Sequence, residues 1–418
     1  MYSKYREVLF YEESNYTLLM RGFIIIMHKF IKDRGSLHLC IVFLITLIAV
    51  LGVASISPAL PQLAIYYKKS PSEVAKIISI FAIPGIFLTP VFGMMSDRFG
   101  RMKLIVVCLM IFGSFGGACC FVGNFKLLLI LRSIQGIGAG ALGSLNIAVI
   151  CDLFSGTDRI KAIGLNAGIM SIGMAIYPSI GGFIALENPK YPFLLAFIAI
   201  PVAIITFLVL RYPEIKNREK FFAYLKSTLI RFKSVEVLKT FITCVSVFFI
   251  FYGVYLTYTP FLMKSRFNAS SFMIGVILAS MSIADALMSI FVVRLIRLFR
   301  IKSLIKFAFL LYAILLSIVP FMPTLWSLLI PIFLLGAANG ICIPCIQTML
   351  GDHAKEGKTA TFMSLNGVGL RFGQAVGPMV MGVVYELFGI NYVFFGGTCL
   401  LFLIIFIVMN LIPCSDKK

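Results

Sequence analysis

The sequence predicts an all-α integral membrane protein with twelve transmembrane helices in two pseudo-symmetric six-helix bundles. Three observations support this fold class. Hydrophobic residues form 60% of the 418-residue chain and charged residues only 13%, a balance well outside that of soluble domains. Apolar runs of about 20 residues, each long enough to cross a bilayer as a helix, recur along nearly the whole chain. Residues of the first half also recur at a fixed distance in the second half.

The apolar runs give the helices in order. Each run is continuously apolar, whereas the strands of a membrane barrel alternate polar and apolar residues over segments of about ten residues. The predicted spans are 38–66, 73–96, 102–122, 126–152, 160–186, 191–211, 238–263, 270–294, 303–322, 325–351, 359–386 and 390–412.

The longest hydrophilic stretch, 212–237, follows the sixth span and divides the chain into two halves. An offset of 200 residues matches Gly136 with Gly336, Gly140 with Gly340, Asp152 with Asp352, Asn166 with Asn366, Gly173 with Gly373 and Pro178 with Pro378. One offset that includes Asp, Asn and Pro indicates duplication. Two like halves around a midplane site are typical of secondary transporters. The expected parts are a cytoplasmic tail (1–36), a six-helix bundle (37–211), a basic cytoplasmic linker (212–237), a second bundle (238–412) and a cytoplasmic tail (413–418).

The net charge of +20 indicates topology rather than nucleic-acid binding. If the N-terminus is cytoplasmic, 28 of the 37 Lys and Arg residues lie inside, 7 lie outside and 2 lie within spans. This bias follows the positive-inside rule and predicts cytoplasmic termini in a multi-pass protein of the cell membrane. Three interpretations of residues 1–27 remain open: a mobile tail, an amphipathic surface segment, or a start of the sequence assigned too early.

The sequence offers little for a cofactor, a metal or an enzymatic reaction. Its ten cysteines are scattered without metal-ligand spacing, and its three histidines lie at or near predicted span ends. Phosphate-loop and nucleophile-elbow motifs are absent as well. We therefore expect no enzyme, cofactor or metal, and a monomer in the lipid bilayer that draws its energy from a gradient.

The stretch GMMSDRFGRMK (93–103) connects spans two and three on the predicted cytoplasmic side. It resembles the loop signature of the major facilitator superfamily, G-x-x-x-D-R-x-G-R-(R/K)-(R/K), and departs only at Met102, where the signature has a basic residue. The matching residues are Gly93, Asp97, Arg98, Gly100 and Arg101.

The resemblance implies that Asp97 docks at the start of span eleven, that Arg101 pairs with Asp152, and that this network is a cytoplasmic latch. An anion at a helix N-terminus is favourable, and a charge-assisted pair strengthens where water is partly excluded. The alternative is a solvated positive-inside loop, which explains the cations but not the glycine and aspartate framework.

The stretch LRSIQGIGAGA (131–141) resembles the span-four signature of the same superfamily, R-x-x-Q-G-x-x-x-A, with Arg132, Gln135, Gly136 and Gly140 in register. In proton-coupled members this arginine is linked to proton transfer, so the resemblance assigns that role to Arg132. A guanidinium inside a membrane span needs partners. The alternative is a structural arginine bonded to neighbouring carbonyl groups.

The stretch GLNAGIMSIGMAIYPSIGGFI (164–184) resembles the span-five signature of antiporters in the superfamily, G-x8-G-x3-G-P-x2-G-G. Gly164, Gly173, Pro178, Gly181 and Gly182 match, and span eleven carries Gly373, Gly377 and Pro378. Small residues allow close helix contact and proline bends a helix, so both spans are candidate hinges. Tyr177 stands where the signature has glycine, which leaves generic helix packing as an equal alternative.

Asp285 is the one acid of 17 that lies well inside a predicted span, and Arg371 lies midway along span eleven. An intramembrane carboxylate is a candidate proton carrier. We hypothesise that Asp285 and Arg371 pair and that protonation or substrate binding breaks the pair. The alternative is a permanently satisfied buried pair. Span one lacks an acid, which puts recognition of cationic drugs by that span in doubt.

Polar side chains within the spans are candidates for a substrate cavity. On an α-helix, the spacing of Tyr252, Tyr255 and Thr259 places them on one face, where the rings could stack on flat solutes. Helix packing is an equal alternative for this stripe. Further candidates are Asn146, Asn166, Asn339 and Gln374, whose alternative role is hydrogen bonding between helices.

The leading functional hypothesis is a secondary transporter, resembling drug:proton antiporters, that exports amphipathic organic compounds in exchange for protons by rocking two bundles. The second is a facilitator or proton symporter of a small organic metabolite. The third, a non-transporting membrane sensor, has little support because no part of the sequence resembles a signalling domain.

Overall fold

The structure, a computed structural model, describes residues 34–210, 235–352 and 359–410. The described residues are almost entirely helical and contain no strand. The N-terminal half consists of α1 (Leu37–Tyr67), α2 (Pro71–Phe99), α3 (Arg101–Phe121), α4 (Phe125–Leu153), α5 (Gly156–Ile184) and α6 (Tyr191–Val209). The C-terminal half consists of α7 (Leu238–Phe267), α8 (Ser271–Leu298), α9 (Ile301–Phe321), α10 (Trp326–Met349), α11 (Thr359–Phe388) and α12 (Ile390–Asn410).

The predicted helical membrane fold is confirmed. Eleven of the described helices are long and apolar enough to cross a membrane, and the twelfth is apolar over Ile390–Ile404. The predicted tails and linker, apart from residues at their edges, lie outside the described part of the chain, so their expected roles stay predictions.

Local sequence fixes the turn between α2 and α3. Gly100 has a φ of 98°, a conformation that is strained for residues with a side chain. It lets α3 begin at Arg101 directly after α2 ends at Phe99. The turn therefore places Arg101 at the start of a helix.

The duplication extends from the sequence to the helix packing. In the N-terminal half, Gly136 of α4 packs directly on the backbone carbonyl of Phe81 in α2. In the C-terminal half, Gly336 of α10 packs in the same way on the carbonyl of Met281 in α8. Both residues of the second pair lie 200 positions after those of the first, so the two halves share one packing arrangement.

The halves contact each other through two equivalent helix pairs, α2 with α11 and α5 with α8. We call the end of the bundle where α1 begins and α12 ends the terminal face, and the opposite end the far end. At the far end, Ser57 of α1 donates a hydrogen bond to the carbonyl of Leu256 in α7. Ser72 of α2 donates another to the carboxylate of Glu386 in α11. The described conformation is therefore closed at the far end.

Candidate functional site

Arg371 of α11 reaches across the boundary between the halves. Its Nη2 donates to the carbonyl of Ala139 in α4 at 2.7 Å, and its Nη1 donates to Oε1 of Gln374 at 3.2 Å. The side chain crosses α2 at Gly85, where an added Cβ would lie 3.0 Å from its Cδ. Arg371 is partly exposed and Gln374 is buried. Arg371 therefore joins the C-terminal half to α2 and α4.

Arg132 of α4 is buried completely and bonds within its own half. Its Nη1 donates to Oε1 of Gln135 at 2.6 Å, its Nη2 to the carbonyl of Gly52 at 3.0 Å and its Nε to the carbonyl of Ile77 at 3.3 Å. These acceptors lie on α1, α2 and α4, so Arg132 ties three helices together. The arrangement matches the structural alternative, while the proton-transfer role stays a prediction.

Phe81 of α2 lies close to both arginines. The Cζ atom of Arg132 is 4.3 Å from the centre of the ring, and the Cζ atom of Arg371 is 6.0 Å from it. An aromatic face attracts cations, and more strongly where water is excluded. The ring is therefore near two like charges inside the membrane.

Asp285 of α8 lies in a polar group on the other side of the C-terminal half. The amide of Asn339 in α10 lies within hydrogen-bonding reach of its carboxylate. The hydroxyl of Tyr312 in α9 donates to Oδ1 of Asn339 at 2.8 Å, which leaves the amide nitrogen to face Asp285. Among the described residues, no cation lies within ion-pairing distance of this carboxylate.

The structure does not pair Asp285 with Arg371. The reason is the pseudo-symmetry of the halves, since α8 packs against α5 and α11 packs against α2. Asp285 therefore lies on the helix of one interface between the halves, with its carboxylate beside Asn339 of its own half, whereas the hydrogen bond of Arg371 to Ala139 spans the other interface.

The aromatic stripe of α7 does not form the expected α-helical face, because Ile250–Tyr258 is a π-helix. Its wider turns change which side chains share a face. The hydroxyl of Tyr255 donates to the carbonyl of Leu278 in α8, and that of Thr259 donates at 3.4 Å to the carbonyl of Val254 in its own helix. Tyr252 is partly exposed and lies close enough to Arg371 for an electrostatic interaction.

Two further cavity candidates form a hydrogen-bonded group within the N-terminal half. The hydroxyl of Thr46 in α1 donates to Oδ1 of Asn166 in α5 at 2.6 Å, and Nδ2 of Asn146 in α4 donates to the same hydroxyl at 2.5 Å. All three residues are buried. The structure thus places both asparagines in bonds between helices, which is their alternative role.

Arg101, which begins α3 directly after the turn from α2, forms an ion pair with α4. Nη1 of Arg101 lies 2.5 Å from Oδ2 of Asp152 at the end of α4, and it also donates to the carbonyl of Ala148 at 2.9 Å. The backbone of Gly93, Asp97 and Arg98 belongs to α2. The side chains of Asp97 and Arg98 and those at the start of α11 lie outside the described part of the structure.

All the candidate hinge glycines except Gly164 lie at close helix contacts. Gly173 and Gly181 pack on α1, while Gly182 packs on the carbonyl of Ser271 in α8. Gly275 of α8 in turn packs on the carbonyl of Pro178. In α11, Gly373 and Gly377 pack on α7, and the carbonyl of Pro378 accepts a hydrogen bond from Tyr258 at 3.3 Å. Gly164, nearer the terminal face, has no neighbour within 4 Å of an added Cβ.

Sequence reasoning missed Phe81 and Gly85, which lie on α2 against the arginines. One signal could have found Gly85, because the 200-residue offset maps Asp285 onto it. The sequence also repeats the unit Arg-x-x-Gln at 132–135 and at 371–374, which was a second signal that the two arginines are related. Ser72 and Glu386, which join the halves at the far end, have no comparable signal in the sequence.

Comparisons with known proteins agree with this architecture. A family model described as Major Facilitator Superfamily matches residues 42–270 and 257–418. The chain is 26% identical over 363 residues to the class B tetracycline resistance protein of Escherichia coli, covering 83% of this chain and 88% of the relative. It is also 26% identical over 373 residues to Multidrug resistance protein 1 of Bacillus subtilis, covering 88% and 94%. Among solved structures, a variant of the nucleoside transporter NupG aligns with a TM-score of 0.77 at 12% identity, covering 91% of this chain and all of the other.

Proposed function

Since the chain belongs to the Major Facilitator Superfamily, we propose that it is a proton-coupled exporter of amphipathic organic compounds that works by alternating access. That it is a multi-pass membrane protein and a transporter rather than an enzyme follows from the family and its relatives. Export is supported by the resistance proteins among those relatives. Antiport is supported by the glycines and proline of α5, although Tyr177 departs from the signature.

The observation that carries the proposal is the environment of Asp285. This carboxylate lies in a membrane helix beside Asn339, without a cation from the described residues in ion-pairing distance. A charge in that position is costly unless it is paired or neutralised. Asp285 is therefore the group we assign to proton binding and release as the interface between α5 and α8 opens and closes.

Alternating access requires contacts between the halves that form and break. The far-end hydrogen bonds of Ser57 and Ser72 supply such contacts in the described conformation. At the opposite end, we assign the Arg101–Asp152 ion pair, which lies within the N-terminal half, to the latch that stabilises the terminal face when it closes. The charge bias of the sequence supports a cytoplasmic terminal face, with the chain acting as a monomer in the cell membrane.

The test is substrate-induced proton flux in liposomes that contain the purified protein. Cationic, neutral and anionic amphipaths are added in turn, and a pH-sensitive dye inside the liposomes reports proton movement. Asp285→Asn should abolish proton flux driven by the solute. The matched control is Asp158→Asn at the start of α5, where the carboxylate is exposed and pairs with Lys161, and it should leave the flux intact.

The second candidate, a facilitator or proton symporter of a small organic metabolite, is favoured by the absence of an acid from α1. Solute movement that is independent of pH in both Asp285→Asn and Asp158→Asn would support a facilitator. Proton flux in the same direction as the solute would support a symporter. Either result would reject the proposed antiport.

A further inference from the structure

Arg132 and Arg371 share the same local motif, an arginine followed three residues later by glutamine, but differ in how many of their N–H donors remain without a partner. Arg132 and Arg371 each donate from Nη1 to a glutamine three residues later. Arg132 also uses Nη2 and Nε and is buried completely. Arg371 uses only Nη2 in addition, and within the described part of the chain its Nε has no partner. Because Arg371 is also partly exposed, it still has donors to offer a ligand.

The place that Arg371 occupies suits a transported molecule. It contacts α2 and α4 of the N-terminal half. Its own helix, α11, packs against the π-helical segment of α7 that carries Tyr252, and Tyr252 lies within electrostatic range of Arg371. Its guanidinium therefore stands at the boundary that must rearrange when the halves rock. A charge there carries a cost unless it is paired, and no described carboxylate lies within ion-pairing distance of it.

Tyr252 adds a second, independent feature. Its hydroxyl has no hydrogen-bond partner in the part of the chain that the structure describes, although its neighbours Tyr255 and Tyr258 both donate to carbonyl groups. Tyr252 is also partly exposed. A free phenol donor and a guanidinium with free donors, on two helices that pack together, are an arrangement that fits an oxyanion.

We propose that Arg371 and the hydroxyl of Tyr252 bind an oxyanion on the transported solute, so that the solutes are amphipathic organic acids or zwitterions. This inference rests on the proposed transport function and deepens it by naming the charge class of the solute. The planar guanidinium can hold a carboxylate or sulfonate through two parallel hydrogen bonds. The ring of Phe81, whose centre is 6.0 Å from the Cζ atom of Arg371, and the segment of α7 that carries Tyr252, which packs against α11, offer aromatic surface for the apolar part of the solute.

The same geometry disfavours a lone cation at this interface. The described charges that lie well inside the membrane helices are Arg132, Arg371 and Asp285, and both arginines lie against Phe81. A cationic group that approached α2 and α11 would meet two like charges. The one carboxylate, that of Asp285, lies on α8 beside Asn339, with no cation of the described residues within ion-pairing distance, so it remains available to the cationic end of a zwitterion.

The experiment measures binding rather than transport, so that its outcome is separate from proton coupling. The full chain is placed in nanodiscs at constant pH, and binding is measured by equilibrium dialysis against empty nanodiscs. The probes share one ring system and differ in charge: 2-naphthoate, 2-naphthylmethanol and 2-naphthylmethylammonium. The wild type should bind the carboxylate at least about tenfold more tightly than the alcohol or the ammonium, as expected for charge-assisted bonds.

Substitutions then show which residues cause the preference for the carboxylate. Arg371→Gln should remove the preference for the carboxylate and change the affinity for the alcohol by less than about twofold. Arg371→Lys should keep only part of the preference for the carboxylate. Tyr252→Phe should weaken carboxylate binding alone, and it gives an independent reading if Arg371→Gln lowers the yield of folded protein. The matched controls are Arg294→Gln at an exposed position near the end of α8 and Tyr67→Phe, whose hydroxyl donates to Val122. Both should behave like the wild type.

Equal affinity for the three probes, no measurable binding of the carboxylate, or a preference that survives Arg371→Gln would overturn the proposal. Proton flux plays no part in these measurements. A chain that prefers the carboxylate but moves no protons would retain this site and lose the proposed antiport. A chain that exchanges protons for cationic solutes alone would retain the proposed antiport and lose this site.

Discussion

Asp285 and Gly85 occupy equivalent positions in the two halves of the molecule. Gly140 of α4 packs on Gly85 of α2, and Gly340 of α10 packs on the backbone of Asp285 in α8, with 200 residues between the partners. The two halves therefore share a backbone arrangement at this position but differ in charge there. In the first half the missing side chain leaves room for Arg371.

This relationship predicts the effect of placing an acid at Gly85. Gly85→Asp puts a carboxylate beside Arg371, because the three atoms nearest to the added Cβ all belong to the flexible arginine side chain. The new ion pair should hold α2 against α11 and lower the transport rate at least about tenfold, because breaking a partly buried pair costs on the order of 1.4 kcal/mol or more. Transport assays in liposomes give the rate.

Gly85→Asn is the matched control for that prediction, since it has nearly the same shape without the charge. It should lower the rate far less than Gly85→Asp. Equal effects of the two substitutions would show that bulk at this position, and not an ion pair with Arg371, slows the protein.

The close contact between α2 and α4 predicts a large difference between two glycines of one helix. Gly136→Ala forces a methyl group onto the carbonyl of Phe81, and neither backbone can yield easily. It should lower the free energy of unfolding by about 1–3 kcal/mol. Gly143→Ala meets no atom within 4 Å and should be neutral or stabilising by less than about 1 kcal/mol. Unfolding in mixed detergent micelles measures both, and a similar loss for the two would contradict the packing.

Much of the fold could be predicted from the sequence because its signals are long and redundant. Twelve apolar runs define the helices, and a single offset relates Gly136 to Gly336 through the same type of contact. The resemblance of the loop at 93–103 to a known signature also led to Arg101 and Asp152, which the structure holds as an ion pair.

The parts that escaped prediction depend on backbone hydrogen bonding and on helix order. The π-helix at Ile250–Tyr258 has the same apolar composition as an α-helix, so the pattern of side chains did not reveal its different register. The expected pair of Asp285 with Arg371 assumed that mid-membrane charges of opposite sign meet. Helix order decides otherwise, because α11 packs on α2 and α8 packs on α5.

The bonds of Arg132 predict that lysine cannot replace it. A lysine ammonium is a compact point charge on a flexible stem and lacks the fork that reaches Gln135 and the carbonyls of Gly52 and Ile77 together. Arg132→Lys should therefore lower the free energy of unfolding by about 2 kcal/mol, since buried acceptors lose their donors. Arg294→Lys, at an exposed position, should leave stability unchanged. Stability equal to the wild type in Arg132→Lys would refute the role of Arg132 as a tie between helices.

The ion pair of Arg101 and Asp152 predicts strong coupling between two substitutions. Both side chains are largely buried, with 18% and 12% of their surface exposed, so water screens the pair only in part. Arg101→Gln and Asp152→Asn should each lower the transport rate and the stability, and the double variant should be no worse than either one. The expected coupling energy is about 1–3 kcal/mol from a double-mutant cycle. Additive effects would mean that the pair contributes nothing as a unit.

The far-end contacts predict that the closed end must open during transport. Ser72 of α2 and Glu386 of α11 bond to each other across the halves. With the ten native cysteines replaced by alanine, Ser72→Cys and Glu386→Cys can be joined by a short bis-methanethiosulfonate cross-linker. Cross-linking should stop transport, and a reducing agent should restore it. Each single-cysteine variant should be insensitive to the reagent, which excludes an effect of modification alone. Undiminished transport by the cross-linked protein would mean that this end stays closed throughout the cycle, and rocking of the two halves could not be the mechanism.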